Sequence, residues 1–277
     1  MLKDLVIDYG NPGGYGQITL PRSDDNQRLV DIYGGNGWEI RTYANGVDQY
    51  LYNANAPASG TITVRMDVRD YTIASVAATP GDAEPASTSA YLQSDRLVDL
   101  TNTKMEGIAR AIRVQNNTDG NLTDLTTNEK WAIAQDAFEW SFDLDYSGMS
   151  NNLGSNQAFN NGYGDCTEFA AASVALLREN GIHARMVNSF WGGADGEVSG
   201  ASFSNHQLYE VYLPDRDSDG VSGEGHWYLM DSQRGEWVSQ NGYGFGVGTT
   251  DGINQNTAPG IYAYSSVQNV DYSVFDV

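Results

Sequence analysis

The spacing of apolar residues changes twice along this chain, and that order limits the folds open to it. Gly60 to Arg69 alternates strictly: Ile62, Val64, Met66 and Val68 face one way, Thr61, Thr63, Arg65 and Asp67 the other. A period of two is that of a half-buried strand. Val6-Ile7, Gln17 to Leu20, Leu29 to Tyr33 and Trp38 to Tyr43 read as further short strands. The last is bracketed by Asn36-Gly37 and Asn45-Gly46, dipeptides suited to tight turns. Strands this short and this closely spaced predict a small all-β, sandwich-like domain over residues 1–80.

The Pro/Ala/Ser stretch from Thr79 to Ser87 breaks the alternation, and residues 81–89 read as a linker. Helical spacing follows. Thr103 with Glu106 and Thr126 with Glu129 form capping-box patterns ahead of periodic apolar runs. The second run carries Trp131, Ala134, Phe138 and Phe142 at helical spacing. Ser147 to Gly164 is rich in Gly and Asn and reads as one long loop, a length usually tied to function or disorder. Asp165 to Gly181 then reads as a helix, with Phe169, Ala170, Val174 and Leu177 as its apolar face and Asn180-Gly181 as its stop. Strands return at Ala184 to Phe190, Gln207 to Leu213 and Trp227 to Asp231. Strands, then helices, then an antiparallel sheet make the class α+β rather than alternating βαβ, with a second domain over 90–277.

Charge narrows the partners. The chain has 36 acids against 15 bases, a formal net charge of −21. Such a surface repels phosphate backbones, and no basic patch offsets it, so nucleic acid is excluded as a partner. No apolar run reaches the length of a membrane span, and no signal-peptide h-region follows Met1. An acidic surface with only three lysines suits an extracytoplasmic or secreted setting, and equally a soluble acidic protein of any compartment. It also favours substrates that are cationic or carry lysine.

The single cysteine, Cys166, rules out an intrachain disulfide. Its place is informative. With Asp165 as N-cap and Glu168 completing the capping pair, the sulfur sits at the first turn of a helix, facing backbone N–H groups and the positive end of the dipole. A cysteine that only fills a core would more naturally lie mid-helix on the apolar face. A nucleophilic sulfur needs an imidazole, and the chain offers three. His183 reads as a surface turn residue, His206 heads a strand, and His226 precedes Trp227 beside an acidic loop. Asp231 ends the next strand, where its carboxylate can orient an imidazole on a neighbouring strand. His226 is too close along the same strand: five residues at a rise of roughly 3.3 Å separate it from Asp231 by roughly 16 Å.

Gly164 to Ala170, followed by Leu176-Leu177-Arg178 and Gly181 to Arg185, resembles the core motif of the transglutaminase-like superfamily. His206 with Glu210-Val211-Tyr212 and Pro214, then Trp227 to Asp231, resembles the second and third motifs of that family, in order. The resemblance spans about residues 90–235 and implies a papain-like α+β core. It implies Cys166 as nucleophile, His206 as base and Asp231 as orienting acid, attacking peptide or amide bonds through a thioacyl-enzyme. Water as acceptor makes the protein a cysteine protease or amidase, a lysine amine makes it a transglutaminase, and with the sandwich as the working part and the α+β domain a scaffold it is a binding or structural module. The chemistry requires no cofactor. An oxyanion donor beyond the Cys166 N–H would come from Gln157 or Trp131, although the first also reads as a loop residue and the second as core. Finally, Asp215, Asp217 and Asp219 in Asp215 to Gly220 follow the D-x-D-x-D-G start of a calcium loop, but His226 stands where an EF-hand needs glutamate. A calcium site and a solvated acidic hairpin are the two readings.

Overall fold

The fold is that of a computed structural model, which describes residues 2–10, 16–20, 27–42, 49–68, 73–77, 81–117, 125–148, 153–191, 204–215, 224–237, 246–249 and 268–276. In chain order the first elements are β1 (Leu2–Gly10), β2 (Gly16–Thr19), β3 (Gln27–Tyr33), β4 (Glu39–Thr42), β5 (Gln49–Asn53), β6 (Ser59–Val68) and the short α1 (Ile73–Ala77). After β7 (Asp82–Ala83) come α2 (Thr103–Asn116), α3 (Thr127–Phe142), β8 (Asp145–Tyr146), α4 (Ser155–Asn161), β9 (Tyr163–Gly164) and α5 (Cys166–Glu179). The remainder is β10 (Ala184–Trp191), β11 (Ser204–Pro214), β12 (Glu224–Met230), β13 (Gly246–Thr249) and β14 (Gln268–Asp276).

The alternation of β6 becomes one wall of a core. Ile62, Val64 and Met66 are fully buried, each burial stabilising by about 1.5–3 kcal/mol, and they meet Leu5 and Ile7 of β1. Ile18 of β2 and Leu51 of β5 complete the same cluster. A four-stranded sheet, β14-β1-β6-β3, thus faces a three-stranded one, β2-β5-β4, as the expected all-β region. On the other side of β6, Arg65 reaches across to its strand partner Asp4 with two bonds of 2.7 Å, which helps lock the register. The outer strand β14 pairs antiparallel with β1, Lys3 opposite Asp276, so the last described residues return to the first sheet.

The linker stretch is held rather than loose. Asp82 and Ala83 pair with Gly225 and Glu224 of β12, Glu84 bonds the Lys130 ammonium at 2.6 Å, and the Ala86 carbonyl accepts from His183 Nε2 at 3.2 Å. Further on, Asp95 and Arg178 form an ion pair of 2.8 Å with neither side chain exposed, and Arg178 also donates to the carbonyls of Ala184 and Gln93. This fastens the approach to α2 onto the C-terminal end of α5.

α5 is the axis of the second half. It packs against α2, α3 and α4 and, across the core, against β10 and β11. Its burial therefore runs around the whole helix from Thr167 to Arg178, not along the expected four-residue stripe. The alanines Ala170, Ala171, Ala172 and Ala175 let these neighbours approach closely. The second sheet, β13-β10-β11-β12-β7, is antiparallel throughout.

Local expectations fared unevenly. Thr126 and Glu129 do form the capping box of α3. For α2 the cap is Asn102, whose Oδ1 accepts from the amides of Lys104 and Met105, so Thr103 is already helical. The stretch read as one loop from Ser147 to Gly164 contains α4, bounded by Gly154 and Gly162, both at positive φ. Ser155, Gln157, Ala158 and Phe159 are buried there despite an Asn-rich composition. Trp131, Ala134 and Phe138 are buried as their spacing requires, whereas Phe142 at the end of α3 is 48% exposed. No helix among the described residues is long and apolar enough to cross a membrane.

Candidate active site

The cysteine helix begins under tight local control. Asp165 accepts from the Thr167 amide at 3.0 Å, and Glu168 reaches back to the Asp165 amide at 3.1 Å. The other Glu168 oxygen takes the Gly154 amide at 2.9 Å, tying the entry of α4 to the start of α5. Glu168 is fully buried; burial pushes its carboxyl above the usual range, while the two backbone amides oppose that rise. Gly164 must lack a side chain, because a Cβ there would overlap Glu168 Cβ. Cys166 is left partly exposed at the first turn, where the helix's leading N–H groups have no helical acceptors.

His206 stands near the start of β11, and Asp231 immediately follows β12, its neighbour in the sheet, where Tyr209 is paired with Met230. The register carries the carboxylate back towards the imidazole: Asp231 Oδ2 lies 2.7 Å from His206 Nε2, both side chains being buried. The other oxygen accepts from the Arg234 amide at 3.2 Å, and Asp231 exchanges two backbone bonds with Glu236, so a short hairpin fixes the acid. Burial works against a charged imidazole, yet hydrogen bonds with Asp231 and then Cys166 outweigh it and push His206 up to about 9. The chain thus brings Cys166, His206 and Asp231 together from the start of a helix and two adjacent strands.

The other histidines lie elsewhere. His226 is buried, with Nε2 3.2 Å from Asp215 Oδ2 and its ring edge-on to Tyr228. His183, expected at the surface, is only 4% exposed because the linker lies over it, and burial holds its imidazole below the ordinary value. Trp131 is corrected as an oxyanion candidate: its indole N–H donates to the Pro214 carbonyl at 2.8 Å, at the opposite end of β11 from His206. Gln157 is 6% exposed; its Oε1 accepts from Asn161 at 2.9 Å, and its Nε2 has no acceptor among the described residues. Asp217 and Asp219 of the calcium-loop pattern lie outside the described residues, and Asp215 faces His226.

Sequence reasoning passed over one buried polar group beside the acid. Ser173 Oγ bonds both the Phe169 carbonyl, at 3.3 Å, and Ser232 Oγ, at 3.2 Å, next to Asp231 in the chain. Tyr209 is fully buried beside this group, and burial raises its phenol while the nearby Ser173 acts the other way. Serines in an alanine-rich helix and a tyrosine in an apolar strand carry no pattern that would have singled them out.

An α+β fold with a cysteine at a helix start, a histidine on the facing sheet and an acid on the adjacent strand defines a class of thiol-bearing proteins. Residues 113–232, which include all three side chains, match the model of the Transglutaminase-like superfamily, so a domain of that superfamily occupies this part of the chain. A solved structure from Cytophaga hutchinsonii, described as a candidate cysteine protease, shares the fold with a TM-score of 0.58 at 18% identity, covering 100% of this chain and 91% of its own. The periplasmic domain of TgpA from Pseudomonas aeruginosa bound to ethylmercury is similar with a TM-score of 0.42 at 13% identity over 85% of this chain and 91% of that one. Red sea bream transglutaminase gives 0.33 at 13% identity over 83% and 45%. These last two likenesses are too slight to bear on function. No curated protein sequence matches the chain.

Proposed function

We propose that the protein is a cysteine-dependent hydrolase of peptide or amide bonds, working through a thioacyl-enzyme on a Cys166–His206–Asp231 triad. The observation that carries this reading is the buried 2.7 Å contact between His206 and Asp231, with Cys166 acting on the same imidazole. In such a site the sulfur attacks the amide carbonyl, forming a C–S bond, and the imidazolium gives its proton to the leaving amine as the C–N bond breaks. Water then attacks the thioester, His206 takes its proton, and the C–S bond breaks to release the acid and restore the thiolate beside the imidazolium. Asp231 fixes the ring and stabilises its charged form. Charge that develops on the carbonyl oxygen meets the Cys166 N–H, with Gln157 Nε2 as the proposed side-chain donor.

The test is incubation with an unselected peptide mixture, products being read by mass spectrometry, for the wild type and Cys166→Ala. Cleavage that needs Cys166 supports hydrolysis, and peptides cross-linked at lysine with loss of ammonia move the assignment to acyl transfer. Neither product from the wild type overturns the enzyme reading.

A further inference from the structure

Exposed apolar side chains are not spread evenly over the second half. From residue 81 onward the large exposed ones among the described residues are Val114, Phe142, Tyr146, Leu153 and Tyr163. Four of these five lie in the stretch that runs from the end of α3 into Cys166. Phe142 is 48%, Tyr146 65% and Tyr163 38% exposed. An aromatic ring left in water forgoes the stabilisation that burial would bring, so several in the stretch leading to one sulfur call for an explanation.

The backbone brings Phe142 and Tyr163 onto one surface. The Asp231–Glu236 hairpin touches the end of α3, since a Cβ on Gly235 would meet the Phe142 ring at 2.9 Å. The chain continues through Asp143 into β8, which pairs in parallel with β9, Asp145 opposite Tyr163 and Tyr146 opposite Gly164. β9 leads through Asp165 to Cys166. A strip therefore runs from the acid's hairpin, past Phe142, to the nucleophile. Residue partners in a parallel ladder share a face, so the Tyr163 ring and the Asp145 carboxylate stand side by side, both exposed, while Tyr146, the partner of Gly164, takes the other face.

From the end of α3 to Cys166 its charge is of one sign; the hairpin end adds Arg234, which lies 3.9 Å from Glu236. Residues 131–177 contain six acids and no lysine or arginine, and Asp143 and Asp145 are exposed on the strip. Aromatic faces attract cations as carboxylates do, so rings and carboxylates here favour the same partner.

Resting on the reading of Cys166 as nucleophile, we propose that Phe142, Asp143, Asp145 and Tyr163 form the docking strip that selects the substrate, and that its occupant is a polypeptide segment combining a basic side chain with an aromatic one. Aromatic or aliphatic stems lie on Phe142 and Tyr163, and the cation is taken by the two aspartates or by a ring face.

The test uses the full-length protein and a short acetylated peptide carrying phenylalanine and lysine. Peptides with lysine and alanine, and with glutamate and phenylalanine, serve as controls. The first should bind by fluorescence anisotropy, weaken as sodium chloride is raised, and slow alkylation of Cys166 by iodoacetamide. Asp143→Asn with Asp145→Asn, and separately Phe142→Ala with Tyr163→Ala, should each weaken binding about tenfold, with melting temperatures near that of the wild type. All four positions are exposed, so these variants should fold. Equal affinity for the glutamate peptide, no binding of the lysine peptide, or variants that bind as the wild type does would overturn the strip. Where a peptide is cleaved, the same variants should raise KM and leave kcat alone. Cleavage indifferent to all four residues sinks the strip and leaves the hydrolase standing, whereas selective binding without any cleavage does the reverse.

Discussion

Asp231 holds His206 from the neighbouring strand, Oδ2 to Nε2 at 2.7 Å, although 25 residues separate the two along the chain. The carboxylate is itself held by the Arg234 amide and by backbone bonds to Glu236, so the imidazole has one orientation available. Asp231→Asn keeps the shape and removes the charge. It should lower kcat/KM by roughly 100-fold or more with KM little changed, measured on any peptide the wild type cleaves. Equal turnover by the two proteins would remove Asp231 from the chemistry.

His206 gives a pH signature. Folding raises it from 6.5 to about 9, so its stabilising contribution is complete below pH 6.5 and lost as pH rises through 9. The wild-type melting temperature should therefore fall between pH 7 and 9.5, roughly the window those values span, and Asp231→Asn should flatten that fall. Activity that depends on the imidazolium should decline over the same alkaline range. A wild-type melting curve that is level there would contradict the assignment.

Cys166 should be alkylated by iodoacetamide at neutral pH in the wild type, and His206→Ala should slow that labelling markedly. His226→Ala removes a ring that faces Asp215 instead, and should leave both labelling and turnover within about twofold of wild type. If the two variants exchange behaviours, the base lies at His226.

The buried pair of Arg178 and Asp95 offers a stability test away from the chemistry. Asp95→Ala strands a guanidinium with no exposure and should cost about 3–5 kcal/mol in chemical denaturation. Arg178→Met with Asp95→Leu should recover much of that loss, since neither charge then remains buried. An Asp95→Ala protein as stable as the wild type would show that the carbonyls of Ala184 and Gln93 suffice for Arg178.

Much of this arrangement was legible in local chemistry. The capping pair of Asp165 and Glu168 placed Cys166 at a helix start, and the alternation of Ile62, Val64 and Met66 marked a core strand. The rise of an extended strand separated His226 from Asp231 on geometry alone. What escaped depends on residues far apart in the chain. His183 is buried by a linker carbonyl 97 residues away, and nothing beside it in the sequence announces that. α4 hid because asparagine is a poor helix former, and its burial against α5 supplies what propensity does not. Trp131 has the indole donor an oxyanion needs, but its direction is set by packing on Tyr228 and by the Pro214 carbonyl.

The pairing of β1 with β14 sets an order of events for a chain made from one end. β1 finds β6 early, but its other edge stays open until a strand 273 positions later (276 − 3) has been synthesised. The interval contains the described helices α2 to α5 and the second sheet, so β1 waits on β14. Contacts this distant in sequence slow folding, and an edge open that long is a template for pairing with other chains. Removing β14 should thus leave the thiol, imidazole and acid untouched in place and show itself first as self-association through the exposed side of β1.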